Sequence, residues 1–130
     1  MILPYHLTVE ERAGYLYACI TADEIDRPTA LDYLRKVSNR VIASRTDRLL
    51  LERDIPVMLS SADVFFTTQD FLEMIGSVRV AFVNKHVPIQ AEMEFAMMIG
   101  TNRGANYRLF DNVPDAEVWL SGGLHRTLAD

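Results

Sequence analysis

Serine and histidine are the residue types in this sequence that could act together as a catalyst. Ser60 or Ser61 could serve as a nucleophile with His86 as its base, as hydrolysis through a covalent intermediate requires. The sequence contains no Gly-x-Ser-x-Gly elbow and no carboxylate at a recognisable spacing to orient the histidine. A Ser/His hydrolase therefore ranks third among the functional hypotheses, and we assign no catalytic residue.

A second set of polar residues follows the predicted strands. Ligands of open α/β sheets bind beyond the carboxyl ends of the strands, so polar side chains at those ends are candidates for a ligand site. The candidates are Asn84, Lys85, His86 and Asp111. The histidines stand far apart and the single cysteine, Cys19, has no partner spacing, so we predict no metal and no cofactor.

Length and composition predict one domain. A chain of 130 residues with 49% apolar residues suits a single domain with one core, which we place at about residues 5–121, with a C-terminal tail at 122–130. The net charge of −5 disfavours a nucleic-acid partner. No apolar run reaches the roughly 20 residues of a membrane span, and residues 1–11 do not resemble a secretory signal. We therefore expect a cytoplasmic protein without membrane insertion.

The elements that must position these residues follow from hydrophobic periodicity. Alternation at residues 5–9 and 15–21 predicts an antiparallel hairpin with a link at 10–14. A helix follows from Pro28, and residues 48–52, 63–75 and 78–83 then form the strand, helix and strand around which the chain is organised. A helix at 89–103, a strand at 107–110 and a helix opened by Pro114 complete the order β-β-α-β-α-β-α-β-α.

This order predicts a single-domain α/β fold, a right-handed β/α superhelix with about four helices mainly on one face. The five-stranded mixed sheet has an antiparallel first pair and parallel pairs thereafter, because crossovers between parallel strands are right-handed. One face should then be open, and it carries apolar residues among arginines. We predict that a second copy or another protein covers it. The candidate interface residues are Tyr15, Tyr17, Leu50, Arg79, Val83 and Arg108. The alternative is that the arginines lie over the aromatic rings of their own chain.

The arrangement resembles the STAS-like domains, the group of anti-sigma-factor antagonists and sulfate-transporter tails. The resemblance covers about residues 5–121 and is closest to small uncharacterised bacterial members. It rests on the segments TVEERAGYLYACIT, RLLLERD, VRVAFV and NRGANYRLFDNVPDAEVWL. None of these is a catalytic signature, so the resemblance implies a fold more than a function.

The resemblance also implies one site. In the antagonists, a serine at the start of the helix after the third strand is phosphorylated, within Asp-Ser-Ser or Asp-Ser-Thr followed by Gly. The matching residues here are Leu59-Ser60-Ser61-Ala62, which lack the aspartate and the glycine. Ser60 and Ser61 are therefore candidates both for phosphorylation and for plain helix capping.

Two functional hypotheses rank above the Ser/His hydrolase. The hypothesis ranked first is a non-enzymatic protein-interaction or regulatory module, expected to be a homodimer or to bind another protein. The hypothesis ranked second is a carrier for a small apolar or lipid-like ligand, because a methionine-rich helix such as residues 95–99 can adapt to such a molecule.

Overall fold

The chain opens with a tight antiparallel hairpin. The computed structural model describes residues 4–129, with side chains described for residues 4–121. Strand β1 (His6–Arg12) pairs with β2 (Tyr15–Thr21), and the register joins Arg12 to Tyr15 across a two-residue turn. Gly14 in this turn has φ +86°, a backbone conformation that glycine adopts without strain. The turn is shorter than the predicted link, because β1 continues to Arg12 instead of ending at Val9.

Helices and parallel strands alternate after the hairpin. Their bounds are α1 (Arg27–Ser44), β3 (Arg48–Asp54), α2 (Ser61–Ile75), β4 (Arg79–Asn84), a 3-10 turn (Val87–Ile89), α3 (Gln90–Asn102), β5 (Tyr107–Phe110) and α4 (Val113–Ala129). The strand order is β1-β2-β3-β4-β5, with β1 antiparallel to β2 and the other pairs parallel. The predicted α/β fold and mixed sheet are confirmed.

Local sequence signals set where the helices begin and end. The side chain of Asp26 accepts a hydrogen bond from the Thr29 N–H and so caps α1, with Pro28 in the first turn. Ser60 caps α2 in the same way, and Gly76 ends that helix with a positive φ of 66°.

Three helices pack on one face of the sheet and form the main core. Helices α1, α2 and α3 contribute buried residues such as Val37, Phe71 and Met93. The strands contribute alternate residues of β2, β3 and β4, namely Leu16, Ala18, Ile20, Leu49, Leu51, Val80 and Phe82. Period-two alternation therefore identifies the inner face correctly.

The opposite face is covered by α4, so the expectation of an open face is wrong. Ala116 and Leu120 of α4 pack against Leu50, Ala81 and Val83, and all five side chains are buried. The right-handed crossover rule constrains a helix between two parallel strands, but α4 follows the last strand and is free to take the other side. It thereby buries the apolar residues that would otherwise face water.

The backbone of α4 also continues past Gly122 and Gly123, where the sequence predicts its end. Glycine lowers helix propensity by about 1 kcal/mol relative to alanine without forbidding the helix. The predicted tail 122–130 is thus helical in backbone as far as Ala129, and its side chains lie outside the described residues. Within the described part of the chain, no helix is long and apolar enough to cross a membrane.

Candidate functional site

Polar side chains gather at the carboxyl ends of β2, β3 and β4. The parallel register places Thr21 beside Asp54 and Arg53 beside Asn84, so the residues that follow these strands share one edge of the sheet. Lys85 and His86, two of the predicted ligand residues, lie at this edge. Acidic residues of β3 accompany them, and we describe the group as the carboxyl-edge cluster: Tyr17, Glu52, Asp54, Lys85 and His86.

Glu52 is the most buried charge of the carboxyl-edge cluster. It is 8% exposed, forms an ion pair of 2.8 Å with the Lys85 ammonium, and accepts a hydrogen bond from the Tyr17 hydroxyl. Burial alone raises the pKa of Glu52, but the Lys85 and Tyr17 contacts outweigh it, so the pKa lies below the ordinary value of 4.5. Burial and the Glu52 contact raise the pKa of Tyr17, so its hydroxyl keeps its proton and acts as a donor.

His86 pairs with an acid that is distant in sequence. Its Nε2 atom lies 2.7 Å from Oδ1 of Asp54, a carboxylate that could orient the ring. In the described part of the chain neither Ser60 nor Ser61 hydrogen-bonds to His86; the Ser60 hydroxyl instead accepts from the Asp63 N–H. The contacts thus supply the orienting carboxylate that sequence spacing did not reveal, but they do not join the nucleophile to its base.

Asn84 and Asp111 have local partners. Asn84 is 2% exposed; its amide group donates to the His86 carbonyl and to Oε1 of Gln90, and its carbonyl oxygen accepts from the His86 N–H. Asn84 therefore holds the backbone after β4. Asp111 is exposed and accepts from the amide of Asn112. Of the four predicted ligand residues, Lys85 and His86 lie beside the carboxylates of Glu52 and Asp54, and Asn84 hydrogen-bonds to the His86 backbone.

The start of α2 presents both candidate phosphorylation sites to solvent. Ser60 and Ser61 are exposed, and Ser60 caps the helix with its hydroxyl 3.3 Å from the Asp63 nitrogen. Asp63 lies in the first turn, where its negative charge interacts favourably with the helix dipole. The capping interpretation of Ser60 is confirmed, and the phosphorylation of either serine stays a prediction.

Two exposed apolar side chains flank these serines in sequence. Val57 is 40% exposed and Phe66 is 50% exposed. The Arg27 guanidinium lies 5.8 Å from the centre of the Phe66 ring and forms an ion pair of 2.6 Å with Asp70. Sequence reasoning missed Phe66, which lies about 100° around the helix from Phe65 and so falls towards the edge of the apolar stripe. We call Val57, Ser60, Ser61 and Phe66 the α2-start surface.

The candidate interface residues of the sheet divide into two groups. Leu50 and Val83 are fully buried beneath α4 and so are unavailable to a partner, which corrects the prediction for both. Tyr15 and Tyr17 are half-buried against the same cluster.

The two arginines lie over aromatic rings of their own chain. Arg79 is 4.1 Å from the centre of the Trp119 ring and Arg108 is 5.5 Å from that of Phe110. This is the alternative that the sequence left open, and the arginine stems help to shield the edge of the α4 contact.

The residue types at these two sites limit the chemistry that they can perform. Among the described residues, no group of three or more His, Cys, Asp or Glu side chains could hold a metal ion. The carboxyl-edge cluster can form hydrogen bonds and ion pairs, while the α2-start surface offers apolar area and two hydroxyls.

Comparison with known proteins supports the fold. No family model matches the chain, and no curated protein matches it. The chain is similar to the crystal structure of an anti-sigma factor antagonist from Mycobacterium paratuberculosis, with 16% sequence identity and a TM-score of 0.62. The similarity covers 89% of this chain and 93% of the other. With its strand order and its helices, the chain therefore shares the α/β fold of this anti-sigma factor antagonist.

Proposed function

We propose that this chain is a non-enzymatic regulatory module of the cytoplasm that binds a partner protein through the α2-start surface. The observation that carries the proposal is the exposure of Val57 and Phe66, which lie in the sequence on either side of Ser60 and Ser61 at the start of α2. Burying a phenylalanine or valine side chain in an interface contributes about 1.5–3 kcal/mol. The similarity in fold to an anti-sigma factor antagonist supports a regulatory function, and the α2-start surface is where we expect the partner protein to bind.

The α2-start surface has the composition of an interaction site. Aromatic residues and arginine are enriched at interfaces, and Phe66 lies beside Arg27. The ion pair between Arg27 and Asp70 holds the guanidinium near the ring. At 1.5 Å and 100° per helical residue, Phe66 lies about 9 Å along the helix from Ser60 and about 120° around its axis, so a partner that meets both must contact two sides of the start of α2.

Phosphorylation of Ser60 or Ser61 would regulate such binding. A phosphate adds about −1.5 to −2 charges, which the helix N-terminus favours and the nearby Asp63 carboxylate opposes. At Ser60 the modification also replaces the hydroxyl that caps the helix. Either effect changes the charge and shape of the surface that the partner meets.

A second copy of this chain is an alternative partner. The centre of the sheet face no longer supports a homodimer, because α4 occupies it. Sedimentation velocity over a range of concentrations separates the two cases: a monomer near 14.8 kDa favours a different protein, and a concentration-dependent dimer favours self-association.

Site-specific crosslinking tests the proposal. A photoreactive amino acid placed at position 57 or 66 in living cells should crosslink one protein, which mass spectrometry then identifies. The same amino acid at Ile42 or Val118, which are also exposed and apolar, should not give that product. Ile42 lies near the opposite end of α1 from Arg27, and Val118 lies on α4.

Purified components then test affinity by calorimetry. Phe66→Ala should weaken binding of the crosslinked protein by about tenfold or more, because interface aromatic residues often contribute above 1.4 kcal/mol. The matched control Ile42→Ala should leave affinity unchanged. Equal crosslinking from all four positions, or equal affinity of the two variants, would contradict the proposal.

A further inference from the structure

Strand β1 forms one edge of the sheet, and its outer side faces away from the other strands. The strand order begins with β1, and among the described residues no other strand pairs with that side. An edge strand presents a row of backbone N–H and C=O groups with which another chain can pair. Strand β1 has seven residues and no proline, whereas β5 at the opposite edge has four residues. Of the two edges, β1 therefore offers the longer surface for pairing with another strand.

The hydrogen bonds of β2 show which residues of β1 direct their backbone groups outwards. The N–H of Ala22, directly after β2, donates to the Asp54 carbonyl of β3 at 3.3 Å, so even-numbered residues of β2 face β3 and odd-numbered residues face β1. The register joins these odd-numbered residues to even-numbered residues of β1. The backbone groups that point outwards therefore belong to the odd-numbered residues of β1: Leu7, Val9 and Glu11.

The side chains of β1 differ between the two faces of the sheet. Leu7 and Val9 are half-buried and pack against the main core. The side chains that alternate with them are exposed on the other face: His6, Thr8 and Glu10. A strand that pairs with β1 must therefore be apolar on the first face and polar on the second, and β1 itself has this pattern.

We propose that two copies of this chain form a dimer through β1, with the two strands antiparallel about a twofold axis at Thr8. In this register Leu7 lies opposite Val9 of the second copy, and both residues direct backbone groups outwards, as a hydrogen-bonded antiparallel pair requires. The same patch of each copy meets its counterpart, which is the geometry of a twofold interface. This contact does not depend on the proposed partner protein, because β1 is an edge strand and the α2-start surface follows the central strand β3.

Charge complementarity supports this register. His6 lies opposite Glu10 of the second copy, and an imidazole N–H can donate to a carboxylate oxygen. Arg12 lies 2.9 Å from Oε2 of Glu10 in its own chain and holds that carboxylate beside the edge of the sheet. The twofold axis forms the pair of His6 with Glu10 twice. At the axis itself the two Thr8 side chains meet, and paired threonines are favourable across neighbouring strands.

Other antiparallel registers of β1 match less well. An axis one residue further along the strand, at Val9, would place the apolar Leu7 opposite Glu11. An axis at Glu10 would place two carboxylates opposite each other, which is unfavourable. An axis one residue earlier than the proposed one would leave only residues 6–8 of the strand paired. The proposed register therefore gives the best match of charge and polarity.

Analytical ultracentrifugation of the whole chain tests whether a dimer forms through β1. About five residue pairs make a small interface, so we expect a dissociation constant on the order of 100 µM, which requires concentrations up to roughly 1 mM. Thr8→Lys changes an exposed side chain and places two ammonium groups opposite each other at the axis. The dissociation constant should therefore rise by about fivefold or more.

Two control variants separate this contact from others. Thr101→Lys adds the same charge at an exposed position of α3 and should dimerise as the wild type does. Phe66→Ala should also dimerise normally, whereas self-association through the α2-start surface would require that side chain. A wild-type chain that remains monomeric at about 1 mM would overturn the proposal. So would equal dissociation constants for Thr8→Lys and Thr101→Lys.

Disulfide formation tests the register. Cys19→Ala is the background, because Cys19 pairs with Thr8 across the hairpin. In this background Thr8→Cys should give a disulfide-linked dimer in oxidised glutathione, since opposite residues of a non-hydrogen-bonded pair lie about 4.5 Å apart at Cα, a separation that a disulfide spans. Glu11→Cys is exposed on the same strand, but about 20 Å would separate it from its counterpart, so it should remain monomeric. Equal dimer yields from the two variants would overturn the proposal.

Discussion

Truncating Leu50 tests whether α4 covers the sheet, because this leucine lies beneath the helix. It is fully buried, and on that face it belongs to the cluster that Ala116 and Leu120 of α4 form with the sheet. We predict that Leu50→Ala lowers the free energy of unfolding by about 3 kcal/mol. The substitution removes three carbon atoms at about 0.8 kcal/mol each, and the cavity left behind adds to that loss.

The alternative, an open sheet face, predicts a much smaller effect. A leucine that is half exposed in the native state loses only part of its burial on truncation, so Leu50→Ala would then cost about 1 kcal/mol. The two expectations differ by about 2 kcal/mol, which exceeds the uncertainty of a urea titration.

Urea unfolding followed by circular dichroism measures the difference. With a slope of about 1.5 kcal/mol per molar, the midpoint of Leu50→Ala should fall by about 2 M. Val118→Ala is the matched control, because Val118 lies on α4 but is 68% exposed; its midpoint should change by less than about 0.3 M. A midpoint shift of Leu50→Ala below about 0.7 M would refute burial of this face by α4.

Three further outcomes are expected from the same measurement. Glu52→Gln should lower the free energy of unfolding at pH 7 by about 1 kcal/mol. The loss is small because Lys85, the ion-pair partner of Glu52, is exposed to solvent. Because the folded pKa of Glu52 is lowered, the stabilisation is complete above 4.5 and is lost as the pH falls through the folded value, so wild type and variant should converge in acid. Gly100→Ala should cost about 1–2 kcal/mol, because the added Cβ would lie 2.6 Å from the Tyr107 ring and the gain in helix propensity offsets only part of that strain. Ser60→Ala should cost about 1 kcal/mol through loss of the cap, while Ser61→Ala should be within about 0.5 kcal/mol of wild type; equal effects would contradict the assignment of Ser60 as the cap.

Local patterns in the sequence were sufficient to predict the order of the elements and the order of the strands. Alternation identified the hairpin strands, and Pro28 and Ser60 marked helix starts that the structure places nearby. These features depend on residues close in the chain, where period and backbone preference determine the outcome.

The placement of α4 was missed although a signal was present. Residues 49–51 are three consecutive leucines and residues 80–83 are Val-Ala-Phe-Val, and strands buried on both faces have such continuous apolar runs. If these runs are treated as alternating strands, half of the residues in each run are assigned to solvent. The pairing of His86 with Asp54 could not be found at all, because the two residues are 32 positions apart and meet only through the register of parallel strands.

The segment that follows β3 depends on one buried arginine. Arg53 is 5% exposed and donates to the Ile55 and Val57 carbonyls at 3.0 and 2.7 Å. Removing the guanidinium would leave both carbonyls without this donor and would loosen the segment that carries Val57. A buried arginine at the end of a central strand thus holds an exposed residue of the proposed partner surface in place.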